Sequence, residues 1–94
     1  MSPVRDTTMF YTYILQSEKD RKCYTGYTKD LRKRFNEHNT GMNVSTKYRV
    51  PFRIVYYGAC LEEDDAKSRE KYLKTGMGKR YIKNRLERFL SLTG

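Results

Sequence analysis

Two short segments rich in aromatic and β-branched residues, separated by a brief charged turn, constrain the fold most. They are residues 9–15 and 23–28, and residues 17–22 form the turn between them. Side chains of these types fit the pleated, half-buried surface of a β-sheet. Two strands joined by so short a turn pair antiparallel. The sequence therefore predicts a β-hairpin whose first strand is largely buried.

The rest of the chain alternates between helical and extended patterns. Thr28 or Asp30 can cap a first helix, which Gly41 ends. The predicted elements after the hairpin are a helix over about 31–40, a strand over 52–59, a helix from 62 to about 75 and a helix over about 79–92. We expect an α+β fold: a small, mainly antiparallel three-stranded sheet flanked by three helices in the order ββαβαα. A single domain over 9–92 would follow a loose N-terminal leader over 1–8.

Composition indicates the class of partner. The 94 residues carry 20 Lys and Arg against 11 Asp and Glu, a formal charge of +9. So basic a chain favours a polyanion, most often nucleic acid; an acidic membrane surface is the rival. No strongly amphipathic basic helix, 18-residue apolar run or signal peptide supports a membrane partner. Cys23 and Cys60 are isolated and His38 is the only histidine, so a Cys/His metal site is not expected. Two lone thiols fit a reducing, cytoplasmic location.

One carboxylate lies in an apolar helical stripe. Ala66, Leu73 and Met77 define the predicted inward face of the second helix, and Glu70 falls within it at i+4 from Ala66. A carboxylate at such a position binds a metal, lines a cleft or is paired, because burying it alone is costly. The alternatives are that Glu70 reaches solvent or pairs with a lysine.

Two cationic or titratable side chains share one face of the first helix. Arg34 and His38 are four residues apart and border the apolar residues Leu31 and Phe35. Arg34 alone is typical of a solvated charge, and His38 near a helix end is typical of a favourable partner of the helix dipole. Tyr13 and Tyr24, taken singly, are typical sheet residues. The combination of these residues is what indicates a site.

That combination resembles the GIY-YIG endonuclease family, and in particular its small stand-alone members related to the nuclease domain of the bacterial excinuclease. The first signature corresponds to residues 11–15 and the second to Tyr24-Thr25-Gly26. Arg34 and His38, with three residues between them, follow on the next helix, and Glu70 matches the later helical glutamate. The first signature has Tyr11 in place of its glycine, and Thr25 replaces the usual isoleucine. Asn84 is the candidate for a further family asparagine.

The resemblance implies a metal-dependent endonuclease that hydrolyses phosphodiester bonds with an activated water. It implies that Glu70 holds one Mg²⁺ or Mn²⁺ and that Arg34 stabilises phosphate charge. Tyr13 is the expected general base, with Tyr24 and His38 as alternatives. We expect Arg34, His38 and the metal to lower the pKa of Tyr13, and Gly26 to let the backbone approach the substrate. The acidic run at 62–65 is interpreted as a complement to the helix dipole.

Further basic residues are expected to contact DNA phosphates without reading sequence. The predicted nucleic-acid contacts are Lys29, Arg32, Lys33, Lys47, Arg49, Lys79, Arg80 and Asn84. DNA is the expected partner and RNA the second candidate, and the protein is expected to be a monomer or weak dimer with selectivity for structure over sequence. The alternatives are an inactive nucleic-acid-binding module and an RNA- or ribosome-associated protein.

Overall fold

A computed structural model describes residues 8–93, with the side chains of 91–93 excluded. The predicted leader therefore lies, except for Thr8, outside the described residues. The elements are β1 (Phe10–Ser17), β2 (Cys23–Thr28), α1 (Leu31–Asn39), a 3₁₀ turn (Lys47–Arg49), β3 (Phe52–Cys60), α2 (Glu63–Leu73), α3 (Gly76–Arg85) and α4 (Glu87–Thr93). The predicted α+β class is confirmed. No helix among these residues is long and apolar enough to cross a membrane.

The sheet has the order β2-β1-β3, and both pairings are antiparallel. β1 is the central strand and is buried from Thr12 to Ser17, as its aromatic and β-branched composition predicted. Its register places Tyr13 opposite Gly26 of β2. The β1–β3 register shifts between Ile14 and Leu15, where β3 carries one extra residue. β2 is therefore an edge strand beside the most buried strand of the protein.

Helices cover both faces of this sheet. Successive side chains of a strand point to opposite faces, so Tyr13 and Ile14 belong to different cores. The core on the α1 side contains Tyr13, Leu15, Phe52, Leu31 and Phe35. The core on the α2 and α3 side contains Ile14, Leu73, Ile82, Val55 and Leu86. Thr12 also points to the α2 side, where its hydroxyl donates to the Ala66 carbonyl at 2.7 Å.

Local signals define both ends of α1. The Asp30 side chain caps the helix by accepting from the Lys33 backbone N–H, which satisfies one of the unpaired donors of the first turn. Gly41 follows the helix with a φ of +77°, a conformation that glycine adopts without a steric penalty. The α1 limits therefore agree closely with the predicted ones.

The C-terminal helices differ from the prediction. The helix predicted over 79–92 is divided at Leu86 into α3 and α4, so three predicted helices correspond to four. Leu86 ends α3 while its side chain packs in the core beside Ile82. No Gly or Pro marks this break. The prediction that Met77 continues the inward stripe of α2 was wrong, because α2 ends at Leu73 and Met77, on α3, is 71% exposed.

Candidate catalytic site

Tyr13 lies at the centre of the candidate site, with its ring directly over Gly26. A Cβ atom added to Gly26 would lie 2.4 Å from the Tyr13 hydroxyl and 2.5 Å from Cζ. No other residue type fits there while the ring keeps its position. We expected this space to serve the approach of the substrate, but the phenol ring of Tyr13 fills it.

His38 connects Tyr13 to the loop after α1. Its side chain is fully buried; its Nε2 lies 3.1 Å from the Tyr13 hydroxyl and its Nδ1 lies 2.8 Å from Oγ1 of Thr46. Burial, with a smaller contribution from the charge of Arg34, lowers the pKa of His38. The imidazole is therefore neutral at neutral pH. His38 is therefore not a surface histidine that merely complements the helix dipole.

Arg34 lies near Tyr13 and lowers the pKa of that phenol, while its Nη1 lies 3.2 Å from Oε1 of Glu37. A guanidinium only donates, so positive charge on this side favours the arrangement in which the Tyr13 hydroxyl donates to Nε2 of His38. In that tautomer, Nδ1 carries the proton of the neutral ring and donates to Thr46.

The pKa of Tyr13 is raised in the protein without a metal, although Arg34 lowers it as expected. Burial is the largest cause, because the phenolate loses hydration. The hydrogen bond from Arg34 opposes this rise, whereas nearby Tyr24 and Glu70 add to it. In the protein alone, Tyr13 is therefore a protonated hydrogen-bond donor at neutral pH.

Tyr24 joins the same group from the edge strand. Its ring centroid lies 4.9 Å from that of His38 and 6.5 Å from that of Tyr13. The fold thus brings together five of the six residues proposed as catalytic: Tyr13, Tyr24, Gly26, Arg34 and His38. Hairpin register aligns the first three, and one face of α1 supplies the other two.

Glu70 approaches from α2, on the opposite side of the sheet from α1. Its side chain is 24% exposed, and its Oε2 lies 3.0 Å from Nζ of Lys74. The alternative that Glu70 pairs with a lysine is therefore observed. Lys74 is 56% exposed, and ion pairs of this kind contribute only about 0–1 kcal/mol. The carboxylate remains close enough to Tyr13 for its charge to raise the pKa of that phenol.

The donor set around Glu70 limits the class of metal ion that could bind there. No group of three or more His, Cys, Asp or Glu side chains in the described part of the chain is arranged to hold a metal. A closed protein cage is therefore not built there. Mg²⁺ fits such a site, since it keeps several waters and commonly binds through one or two carboxylates together with substrate phosphates.

Sequence reasoning missed three residues near the site. Thr46 orients His38 from an irregular loop that carries no motif. Tyr27 donates to the Glu63 carboxylate, and this bond is the main reason that the pKa of Tyr27 rises to about 12. Glu63 lies in the acidic run that was assigned to the helix dipole; it does open α2, but it also binds the edge strand. Only contact across the fold reveals these roles.

A cleft of about 450 Å³ opens beside Arg34, between the start of α1 and the start of α2. Its lining includes Tyr27, Lys29, Lys33, Arg34 and Glu63. The cleft places two exposed lysines next to Arg34, but its lining also includes the carboxylates of Asp30, Glu37 and Glu63. An anion that contacts Arg34 would therefore meet charges of both signs here.

The proposed nucleic-acid contacts fall into separate regions. Lys29, Arg32 and Lys33 are exposed at the start of α1 and Lys47 is exposed in the following loop, whereas Lys79, Arg80 and Asn84 are exposed on α3, which packs on the other face. Arg49 is already paired, because its Nε lies 2.9 Å from Oδ2 of Asp20. Its guanidinium also lies over the ring of Phe52, a core neighbour of Tyr13, whereas Asn84 lies on α3, on the other face of the sheet. Their binding roles stay predictions.

Known proteins with similar sequences identify the family. The family model described as the GIY-YIG catalytic domain matches residues 9–88. A UPF0213 protein of Clostridium perfringens is 42% identical over 67 residues, which cover 70% of this chain and 71% of the relative. A UPF0213 protein of Streptococcus pyogenes serotype M5 is 39% identical over 69 residues, or 72% of this chain and 74% of the relative. No solved structure matches significantly. The chain belongs to the GIY-YIG family of nucleases.

Proposed function

We propose that the protein is a metal-dependent endonuclease that hydrolyses phosphodiester bonds in DNA, with selectivity for structure over sequence. The observation that carries the proposal is the convergence of Tyr13, His38 and Arg34 at one buried oxygen. The hydroxyl has a structural role, because phenylalanine in its place would leave Nε2 of the buried His38 without its partner. A phenol held against a neutral imidazole also suits the transfer of a proton.

The hydrogen-bond directions support a relay. As a water molecule attacks phosphorus, its proton passes to the Tyr13 oxygen while the Tyr13 proton passes to Nε2 of His38. No free phenolate accumulates, so the raised pKa of Tyr13 is not an obstacle. The neutral state of His38 makes Nε2 available as an acceptor, and Thr46 holds the ring through Nδ1. Tyr24, beside His38, orients the attacking water or the phosphate; direct base action by Tyr24 or by His38 is the alternative.

Arg34 stabilises the charge that develops on the phosphate. Its planar donor fork matches two phosphate oxygens, which a lysine does not. Glu37 lies 3.2 Å from Nη1 and restricts the side chain to one side of α1. Lys29 and Lys33 line the adjoining cleft and would position the nucleic-acid backbone.

Glu70 is the residue that would hold the divalent ion. The ion would polarise the phosphate and stabilise the departing oxygen. Without the ion, Lys74 orients the Glu70 carboxylate. This surface ion pair is weak, so the metal ion would readily replace Lys74 as the partner of Glu70. One carboxylate suits Mg²⁺ and Mn²⁺ equally.

Cleavage of defined DNAs tests the function. The substrates are labelled single-stranded, duplex, flapped and branched DNAs, with Mg²⁺, Mn²⁺ or chelator. We expect metal-dependent cutting that Glu70→Gln and Arg34→Lys abolish and that Tyr13→Phe lowers by about 10²–10⁴-fold, the usual contribution of a general base. The matched control is Tyr57→Phe, since Tyr57 is an exposed tyrosine of β3.

The outcomes separate the rival functions. No cutting of any DNA with either metal, together with unchanged DNA binding by Glu70→Gln, would identify an inactive binding module. Preferential binding and cutting of RNA would show that RNA, and not DNA, is the substrate. Equal loss in Tyr13→Phe and Tyr57→Phe would remove the special role given to Tyr13.

A further inference from the structure

A second, larger cavity lies on the face of the sheet opposite α1. Its volume is about 620 Å³, within the roughly 300–1,000 Å³ typical of small-molecule sites. The floor is apolar and consists of Ile14, Val55, Leu73, Ile82, Leu86 and Leu90. Four lysines surround it: Lys22, Lys74, Lys79 and Lys83. All four are exposed; Lys74 is paired with Glu70, and Lys22, Lys79 and Lys83 add positive charge around the apolar floor.

One buried polar atom belongs to the same cavity. Gln16 lines it and is only 4% exposed. Its Nε2 donates to the Arg21 carbonyl at 3.2 Å, but its Oε1 has no hydrogen-bond partner in the described part of the chain. A buried acceptor without a partner costs about 1–3 kcal/mol. If the Gln16 amide turned toward the cavity, an N–H group of a ligand could reach this acceptor and remove that cost.

These features together specify the chemistry of the occupant. The lysine rim favours a ligand with negative charge, and the apolar floor favours a ligand with a flat or apolar part. Gln16 favours a hydrogen-bond donor at the edge of that part. A nucleotide supplies all three through its phosphate, the faces of its base and the N–H groups of its base. A fatty acid supplies the first two but has no donor for Gln16.

The position of the cavity links it to the candidate catalytic site. Tyr24 borders the cavity and packs against His38. Lys74 lines the cavity and pairs with Glu70. An occupant would therefore lie across the edge strand from Tyr13 and beside the Lys74–Glu70 pair.

We propose that this cavity binds the base of one unpaired nucleotide of the substrate, next to the phosphodiester that is cleaved. This inference rests on the proposed nuclease function. Taking a base out of the duplex stack costs a few kcal/mol, and least when the base is already unpaired. The cavity would thus select DNA with a single-stranded extension over intact duplex.

The two cysteines provide an internal reporter for the test. Cys23 lines the cavity, whereas Cys60 ends β3 opposite Phe10 and does not line it. With chelator present, mass spectrometry measures the rate at which a maleimide alkylates each thiol. The measurement is made with two duplexes that carry the same single-stranded extension. In one of them, every unpaired nucleotide lacks its base. We expect the complete DNA to slow alkylation at Cys23 by about tenfold, as loss of one base-stacking interaction would predict, and the abasic DNA to slow it less than twofold. The rate at Cys60 should stay the same.

Variants test the individual contacts. Gln16→Met should remove the preference for complete over abasic DNA without weakening binding of the abasic DNA. Because this change also removes the bond to Arg21, Lys83→Ala provides a second test that leaves the core intact, and it should weaken binding of both extended DNAs. Lys71→Ala, an exposed lysine of α2 outside the cavity, is the matched control and should behave as the wild type.

Each other outcome contradicts the inference. Equal protection of Cys23 by complete and abasic DNA would mean that only phosphate is bound. Protection by decanoate but not by DNA would indicate an apolar anion, and protection that grows with protein concentration alone would indicate a second copy of the chain. Base-dependent protection without any cleavage would support the cavity and contradict the nuclease function, whereas cleavage without such protection would contradict the cavity only.

Discussion

At the scale of single residues, the candidate site depends on how Tyr13 is held. Its ring occupies the space left by Gly26, and its oxygen lies within reach of Arg34 and 3.1 Å from His38. The phenol is therefore fixed by packing on one side and by hydrogen bonds on the other. Such preorganisation is what a proton-transfer group requires.

Substitution of Gly26 tests this packing. Gly26→Ala would place Cβ 2.4 Å from the Tyr13 hydroxyl, so the ring must move away from His38. We expect a loss of about 1–3 kcal/mol in the free energy of unfolding in urea, together with loss of cleavage. The matched control is Gly58→Ala on β3, where the nearest atom to the added Cβ lies 3.9 Å away. Equal effects of the two substitutions would show that Tyr13 packing is not the cause.

The buried His38 makes stability depend on pH. Its pKa in the folded protein lies below its ordinary value of 6.5, so the unfolded chain binds the proton more readily. Stability from this residue is therefore complete above the unfolded pKa and is lost as pH falls below it. The urea midpoint should fall between about pH 7.5 and about pH 5.5. His38→Gln, which does not titrate, should show a smaller fall; an identical fall would contradict the assignment to His38.

At the scale of elements, the join between α2 and α3 is as tightly packed as the hairpin. A Cβ added to Gly78 would lie 2.0 Å from the Tyr72 carbonyl oxygen and 2.6 Å from the Leu73 Cα. Both are backbone atoms, which cannot turn away as a side chain can. This close approach sets the position of α3 and with it one wall of the large cavity.

Two neighbouring glycines of α3 should therefore respond differently. Gly78→Ala forces the two helices apart, and we expect it to cost about 3 kcal/mol or more in the free energy of unfolding. Gly76→Ala meets nothing within 4 Å and should stabilise the protein by about 0.4–1 kcal/mol, because alanine restricts the unfolded chain. Urea denaturation of both variants measures the difference. A tolerated Gly78→Ala would mean that the helices are not held in this contact.

At the scale of the whole molecule, positive charge flanks the edge strand on both sides. Exposed basic residues at the start of α1 lie on one face of the sheet, and those of α3 lie on the other. β2, with Tyr24 and Gly26, lies between them at the open edge. A nucleic acid that crosses this edge would meet both basic regions and the candidate site together.

Salt dependence tests this arrangement. The affinity for DNA should fall steeply with NaCl, since each phosphate contact contributes a slope of about −0.9 in a plot of log affinity against log salt. A double variant on α1, Arg32→Ala with Lys33→Ala, should make the slope shallower by the equivalent of about two phosphate contacts. A double variant on α3, Lys79→Ala with Arg80→Ala, should have the same effect. Lys71→Ala is again the control. A slope changed by only one of the two pairs would show that the DNA lies on one face alone.

Much of the fold follows from local sequence. The hairpin, the Asp30 cap and the glycine after α1 all depend on interactions between residues close in the chain, and each was predicted with nearly correct limits. The inward position of Glu70 also follows from helical spacing to Ala66 and Leu73. The motif matches that indicated the family rest on the same short-range order.

Other features arise only when distant segments meet. No Gly or Pro marks the break at Leu86, whose side chain packs beside Ile82 in the core, and Met77 is exposed because α2 ends before it. Thr46 becomes the partner of His38 through the path of an irregular loop. The pKa of Tyr13 is raised because burial outweighs the expected lowering by Arg34. Proximity of positive charge can be predicted from a motif, whereas the loss of hydration depends on everything packed around the ring. Sequence alone predicted the sheet, the limits of α1, the family and five residues that meet around Tyr13, whose catalytic roles stay predictions; the tertiary structure decided burial, and with it the protonation of Tyr13 and His38, because hydration is a property of the assembled fold.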